Sequence, residues 1–378
     1  MAKSNPTKAA PFRFFDNREK YLLFVTTCSE KQAIARRVGQ ELAAIRPQPP
    51  SLNLYDAGMG DATVLTRVLR DLHRRLPTVP FLVLGKEISL EDVRLSLDKL
   101  PDRFAEHPQM VVVITNLTYR EAARLQPRDG DARLNWWDVP LNGSTAHDFA
   151  EQVTDLQSIL AEGWQTRTSP RSGNPLYVTP SVLVLYRADQ KFLLDQVIPA
   201  RGEAPDGYDL VIASQPYRAR SAAEHKVRNV LAPLARALRP GGRMLVVQST
   251  GHDPGMEIIC SLWPDEAPFQ TPRHSLIEAL SAHLAESDPD IVHAAQGEEL
   301  SLFRYHLHAL PDEVGANIGT STLLAAWNAA IYVAQIEDAR LTQVLHTGAY
   351  LDATRDVLRR HGELWFLDES FVFTCQSP

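Results

Sequence analysis

The chain has 378 residues and a formal charge of −7, from 39 Lys and Arg against 46 Asp and Glu. That length admits one enlarged domain or two. Charges of both signs are spread along it with no long basic run, which argues against a general nucleic-acid or membrane-surface binder. Cys28, Cys260 and Cys375 lie far apart, with neither the even count of a disulfide framework nor a Cys-x-x-Cys pair, as suits a reducing compartment. The apolar stretch Tyr21 to Val25 is too short for a signal peptide, and no run approaches the roughly 18 apolar residues of a membrane span. A soluble, cytoplasmic protein with a small-molecule partner is expected.

In chain order, residues 1 to 18 read as a loosely packed arm. From Thr27, the spacing of Ile34, Val38, Leu42 and Ile45 predicts a helix that ends at Pro47, Pro49 and Pro50. Then comes Asn53-Leu54-Tyr55-Asp56-Ala57-Gly58-Met59-Gly60-Asp61-Ala62-Thr63. It reads as a buried strand running into a glycine turn that opens a helix carrying Val64, Leu65, Val68 and Leu69. The acid precedes the first glycine, and Thr63 stands where a dinucleotide fingerprint needs its last one. An NAD-type site is therefore disfavoured.

Phe81 to Ser89 is a second strand, ending in Glu87 and the helix-capping Ser89; a helix follows from Ser89 through Leu100. Met110 to Asn116 is a third, β-branched strand. The strand rhythm then lapses from Leu117 to Pro180, a stretch with Trp136 and Trp137, a helix over Ala146 to Trp164 and a polar loop from Thr166 to Asn174. A gap of that length is an insertion, and insertions above strand ends commonly build pockets. The tandem tryptophans suit its small core better than a pocket wall.

Pro180 to Arg187 reads as a strand, Asp189 to Val197 as a helix, and Tyr208 to Ser214 as a further strand leading into Gln215-Pro216-Tyr217. A helix over Val227, Leu231, Leu234 and Leu238 runs into Arg239-Pro240-Gly241-Gly242 and another strand to Gln248, the glycines stopping the helix. The loop Thr250 to Gly255 holds His252 and Asp253. Beyond it lie a helix over Ser275 to Ala285, a strand from Leu300 to Leu307, two helical segments across 311–360, and a closing antiparallel edge through Glu369 to Cys375. His306 and His308 share one strand face, but no third ligand stands at a metal-site spacing, so no metal is expected.

The run Asp56-x-Gly58-x-Gly60 after an apolar strand resembles motif I of class I S-adenosylmethionine (SAM) dependent methyltransferases, with Ala62 in place of the family's third glycine. Val83-x-Gly85-x-Glu87-x-Ser89 resembles the second-strand motif, Asp209-Leu210-Val211-Ile212-Ala213-Ser214 the fourth strand, and Arg239-Pro240-Gly241-Gly242 the junction into the fifth. Ser214-Gln215-Pro216-Tyr217 is similar to the Asn/Asp-Pro-Pro-Tyr of amino-group methyltransferases at only two of its four positions.

The resemblance implies an α/β, doubly wound, mostly parallel seven-stranded sheet with helices on both faces and helical insertions. Residues 1–50 would be an arm and capping helix. The SAM-binding domain would span 51–378, with insertions at about 117–180 and 311–360. Implied cofactor-binding residues are Asp56, Gly58, Met59, Gly60, Glu87, Ile88, Asn116 and Ser214, with Glu87 on the ribose hydroxyls and Asn116 beside the adenine. Taken from the residues alone, Glu87 suits a helix N-terminal charge better than a ribose ligand, and Asn116 suits an ordinary turn equally. Tyr217, His252 and Asp253 follow strand ends that would face the methyl group, the first two being the catalytic candidates.

The implied reaction is methyl transfer from SAM to a small molecule, leaving S-adenosylhomocysteine. Aminocarboxypropyl transfer and a non-catalytic SAM-fold binding protein are the alternatives. The 311–360 helices are expected to pack as core, with a pocket cover or a homodimer contact as the other options.

Overall fold

In a computed structural model of the chain, the described residues are 18–130, 133–168, 175–309, 311–314 and 318–376. The expected N-terminal arm and the loop residues 169–174 lie outside them. The strands in chain order are β1 (Leu52–Asp56), β2 (Phe81–Lys86), β3 (Met110–Thr115), β4 (Asn135–Leu141), β5 (Thr166–Thr168), β6 (Pro175–Tyr177), β7 (Ser181–Arg187), β8 (Tyr208–Ser214), β9 (Leu238–Ser249), β10 (Ile291–Ala294), β11 (Leu302–His306) and β12 (Trp365–Cys375).

Among the described residues, ten strands form one sheet in the order β10-β12-β9-β8-β1-β2-β3-β7-β4, with β11 also paired to β12. The centre, β9-β8-β1-β2-β3, is parallel. β12 runs antiparallel to β9, as expected, but it is not the edge, because β10 and β11 pair with it on its other side. The chain moves from β1 outward through β2 to β3 and returns on the other side of β1 as β8, so the order reverses between β1 and β8. At such a point the two flanking loops diverge and leave a crevice at the strand C-termini.

The expected seven strands become ten because β4 and β7 extend the sheet beyond β3, and both β10 and β11 pair with β12. β7 is antiparallel to β3, and β4 is parallel to β7. The 117–180 stretch is therefore partly sheet: Trp136 and Trp137 sit on β4 and pack against opposite faces.

Several helix bounds also differ. The single helix expected over Ala146 to Trp164 is two, Ala146–Thr154 and Gln157–Gly163. The helix expected through Leu100 ends at Leu97, and Pro101 begins another. Asp189 to Val197 holds a short 3-10 turn and further turns instead of a helix, since its apolar Phe192 and Leu193 are exposed. The first predicted helix begins at Glu30, and a separate one, Arg18–Thr27, precedes it.

Arg239-Pro240-Gly241-Gly242 lies within β9, not at a helix end. A register shift between Tyr208 and Leu210 absorbs it as a bulge. Gly241 takes φ +80°, and a Cβ on Gly242 would stand 2.5 Å from the Tyr208 carbonyl, which is why the motif needs both glycines.

Two apolar layers cover the two sheet faces. A third core joins Phe24 and Cys28 to Ile258, Leu323, Trp327, Ile331, Val357 and Phe366. Among its described residues the 311–360 stretch carries a short 3-10 helix, Pro311–Val314, and three α-helices where two helical segments were expected: Thr320–Val333, Asp338–Leu345 and Ala349–His361. Its apolar side packs in that third core, matching the preferred expectation. His306 pairs with Glu363, and among the described residues no group of His, Cys, Asp and Glu could hold a metal. No helix there is long and apolar enough to cross a membrane.

Below the switch point, Asp209 at the start of β8 is locked to Arg239 of β9. It also accepts the Asn53 N–H at 2.7 Å. Both side chains are buried, and burial holds the Asp209 carboxyl above its usual range despite the guanidinium. Asp209→Ala leaves a buried guanidinium with only the Ser51 carbonyl as acceptor and the Asn53 amide without Asp209, and is expected to cost about 3–5 kcal/mol in urea unfolding. An effect under about 1 kcal/mol would show the pair to be peripheral to the β1-β8-β9 register.

Candidate functional site

The crevice at the C-terminal ends of β1, β2 and β8 opens into a cavity of about 280 Å³. Asp56 ends β1, and the turn Ala57 to Ala62 carries the chain into the helix Thr63–Arg75. Three bonds hang this turn on the sheet: Ala57 N–H to Ile212 O at 2.9 Å, Met59 N–H to Lys86 O at 3.0 Å, and Gly60 N–H to the Glu87 carboxylate at 2.7 Å. Gly60 takes φ +53°, and a Cβ there would meet the Tyr21 hydroxyl at 2.6 Å. Gly58 is the open floor, since a Cβ would touch only Ser214 O, at 3.9 Å. Ala62 adopts the left-handed conformation, φ +58°, where the family motif has glycine, a strain of about 1 kcal/mol.

Glu87 is fastened more firmly than a helix-end charge would need. Its Oε1 accepts the Ile88 and Ser89 N–H groups at 2.7 and 2.8 Å, and its Oε2 accepts Gly60 N–H. The carboxylate thus joins the end of β2 to the glycine turn of β1. Ser89 caps the following helix as expected, accepting Asp92 N–H. Met59 lies against Gly85, where a Cβ would come within 2.4 Å of its sulfur.

Of the sequence candidates, Asp56, Gly58, Met59, Gly60, Glu87, Ile88, Ser214 and Tyr217 line this cavity together. Asn116 does not. Its amide donates to Gly163 O at 2.8 Å and accepts Ser181 N–H at 2.9 Å, so the β7 segment consumes it. His252 does not either: it is exposed, beside a smaller neighbouring cavity of about 140 Å³ that shares only Gln215 and Tyr217 with the first. The Tyr217 hydroxyl donates to Gln248 at 2.8 Å, and burial raises its pKa, which makes it an anchored donor. Asp253 caps the helix Pro254–Leu262 through Met256 N–H at 2.9 Å and accepts Leu367 N–H, a structural duty.

Residues that sequence reasoning missed complete the wall. Tyr21, Lys31 and Tyr332 come from helices far away in the chain, and no local pattern marks them. The Tyr21 hydroxyl donates to the Asp61 carboxylate at 3.1 Å, and Lys99 also binds that carboxylate. Asp61, Lys86, Asp92 and Tyr119 lay in or next to quoted motifs, but only the fold shows their direction.

The cavity gathers four carboxylates, Asp56, Asp61, Glu87 and Asp92, with three cations, Lys31, Lys86 and Arg218. Burial, then repulsion from Glu87, pushes Asp56 up to about 7; burial with Glu87 and Asp61 does the same to Asp92. Asp61 is held low by Lys99 and Thr63 in spite of its burial. Burial opposes the charge on Lys31, but Glu30 outweighs it and raises the pKa. A cavity of this kind favours a ligand that carries positive charge next to hydrogen-bonding groups.

No family model matches the chain. A stretch of 75 residues is 35% identical to the squalestatin tetraketide synthase of Phoma sp., covering 20% of this chain and only 3% of that synthase. Solved structures similar in fold are SAM-dependent methyltransferases and related enzymes. A geranyl diphosphate methyltransferase in complex with SAM is 11% identical, with a TM-score of 0.35 over 97% of this chain and 96% of that one. A cyclopropane synthase from Mycobacterium tuberculosis is also 11% identical, with a TM-score of 0.35 over 96% and 98%. Phosphoethanolamine N-methyltransferase 2 of Haemonchus contortus, in complex with SAM, is 12% identical, with a TM-score of 0.32 over 99% and 62%.

The raised Asp56 pKa sets a pH dependence of stability. Between about pH 4 and 7 the carboxyl is protonated in the folded chain and ionised in the unfolded one, so stability falls as pH rises through that window. Asp56→Asn keeps an acceptor for Gly58 N–H and removes the titration. Denaturant unfolding should find it more stable than the wild type at pH 8, by about 4 kcal/mol, and little changed at pH 4. Equal differences at both pH values would rule out this linkage.

Proposed function

We propose that the chain is a SAM-dependent methyltransferase acting on a small-molecule acceptor. The observation that carries this reading is the joined pair at the switch point: an acid-ended β1 with a glycine floor, braced by the acid that follows β2, inside a cavity dominated by carboxylates. SAM has a sulfonium and an ammonium, and both charges suit that wall. Gly58 presents backbone where any side chain would fill the ligand's space.

Asp56 and its acidic neighbours are assigned to the cationic amino-acid end. Glu87 already accepts three backbone N–H groups, and a carboxylate offers about four acceptor positions, so it has room for one ribose hydroxyl. Ile88, Met59 and Tyr119 supply apolar walls. When bound, SAM supplies an activated methyl group, released as an acceptor lone pair attacks carbon while the C–S electron pair returns to sulfur. The residues of the chain align the partners and exclude water. Tyr217 and Gln215 line both cavities, which supports an acceptor's approach along the Ser214 to Tyr217 turn. Tyr217 is assigned to lining and orienting that approach.

Calorimetry with S-adenosylhomocysteine tests the cofactor. Micromolar or tighter binding is expected for the wild type. Gly58→Val, whose added side chain meets no protein atom closer than Ser214 O, should lose it by at least about a hundredfold while its melting temperature stays within about 2 °C. Wild-type affinity should also rise from pH 6 to 8 as Asp56 ionises, by at most about tenfold per pH unit, and Asp56→Asn should flatten this profile. No binding, or binding that Gly58→Val leaves intact, would sink the reading. Turnover yielding methylthioadenosine would replace methyl transfer by aminocarboxypropyl transfer.

A further inference from the structure

We propose that Lys86 is a specificity residue of this site, donating a hydrogen bond to a ring nitrogen of the cofactor's purine; the assignment rests on the SAM reading above. Lys86 is the last residue of β2, and strand alternation sends its side chain to the face of Leu82 and Leu84, opposite Gly85. The residue is 7% exposed and lines the cavity. Its Nζ lies 4.8 Å above the centre of the Tyr119 ring, and among the described residues it has no hydrogen-bond acceptor and no carboxylate within ion-pair distance.

Several other cations with little exposure have partners among the described residues, although Arg103 Nε and Arg273 Nη1 are buried without one. Lys31 pairs with Glu30, Arg37 with Glu41, Arg239 with Asp209, and Lys226 donates to Ala219 O and Thr271. An ammonium has three donors and no acceptor, and that of Lys86 belongs to a residue lining the cavity, where a ligand acceptor can meet it.

The surroundings select which part of the ligand that is. At the Lys31 end the wall is Tyr21, Asp61 and Tyr332, polar and charged, as a zwitterionic amino-acid tail requires. At the Lys86 end it is the Tyr119 face, Ile88 and Pro216, with the Tyr119 hydroxyl fixed to Pro216 O at 2.6 Å. The Tyr119 face beside the Lys86 ammonium, in a cavity that Glu87 and Arg218 also line, fits a heteroaromatic ring with in-plane lone pairs, and a purine presents these at N1, N3 and N7. Asn116, which the family motif would put beside the adenine, is spent on Gly163 and Ser181. Lys86 is a donor at this end whose hydrogen bonds no described protein group takes up.

The experiment is calorimetry of wild type, Lys86→Met and Lys86→Gln with S-adenosylhomocysteine and its 1-deaza, 3-deaza and 7-deaza analogues, with melting curves of the ligand-free proteins. The wild type should bind one deaza analogue about ten- to a hundredfold more weakly than the parent. Lys86→Met should bind the parent more weakly by a similar factor and no longer distinguish that analogue, a coupling only a direct contact gives. Lys86→Gln, which keeps a donor, should recover part of the affinity. The ligand-free Lys86→Met protein should melt no lower than the wild type, because the ammonium it removes has no hydrogen-bond or ion-pair partner and the methionine keeps an apolar contact with the Tyr119 ring.

Wild-type affinity for all three analogues, or a Lys86→Met protein that binds the parent normally, overturns the proposal. So does a lower ligand-free melting temperature with uniform weakening toward every analogue. A wild type that does not bind S-adenosylhomocysteine at all overturns the cofactor reading itself, an outcome read before any variant is compared.

Discussion

The site depends on one carboxylate. Glu87 gathers the N–H groups of Gly60, Ile88 and Ser89, and so ties the loop after β1 to the loop after β2. Neither loop has a side-chain scaffold of its own, because the glycines that admit a ligand also leave the turn short of packing atoms. A charge-assisted acceptor on three backbone donors compensates. Trp164 donates to Glu87 O, so the segment between β4 and β7 steadies the brace from behind. The far side of the turn is closed by Tyr21 and Lys99, both on Asp61.

That brace has an electrostatic consequence. Fixing Glu87 beside Asp56, Asp61 and Asp92 concentrates acid in a poorly hydrated cleft, and Asp56 and Asp92 respond by holding their protons up to about pH 7. The ligand-free fold is strained where it is most specific, and a cationic ligand would relieve it. Lys86 has the opposite charge and the same condition, an ionisable group placed in the cavity without a partner. Such local conflicts concentrate at functional sites because folding alone would remove them.

The motifs were legible because their chemistry is local. Asp56, Gly58, Gly60 and Glu87 lie within single strand-to-helix turns, where backbone conformation and residue type are tightly linked, and each reaches the cavity. Asn116 was misread because a strand-ending asparagine looks the same whether it faces a ligand or a neighbouring segment; β7, added on the outside of β3, captured it. His252 failed similarly, since a loop after a strand end has no period to fix its direction. Arg239-Pro240-Gly241-Gly242 carried the right signal, a tight turn before a strand, but β9 begins early and takes the glycines as a bulge.

By itself, the sequence determined the alternating strand and helix order, the acid-and-glycine turn and the identity of its bracing acid, because these follow from periodicity and from φ demands within a few residues. Only the tertiary structure decided the rest. It brought Tyr21, Lys31 and Tyr332 to the cavity from helices of the third core, turned Asn116 away, and left Lys86 unpaired over Tyr119. The physical reason is common to all of these. Whether a polar side chain is free or satisfied depends on partners tens to hundreds of residues distant, and no local pattern records who those partners are.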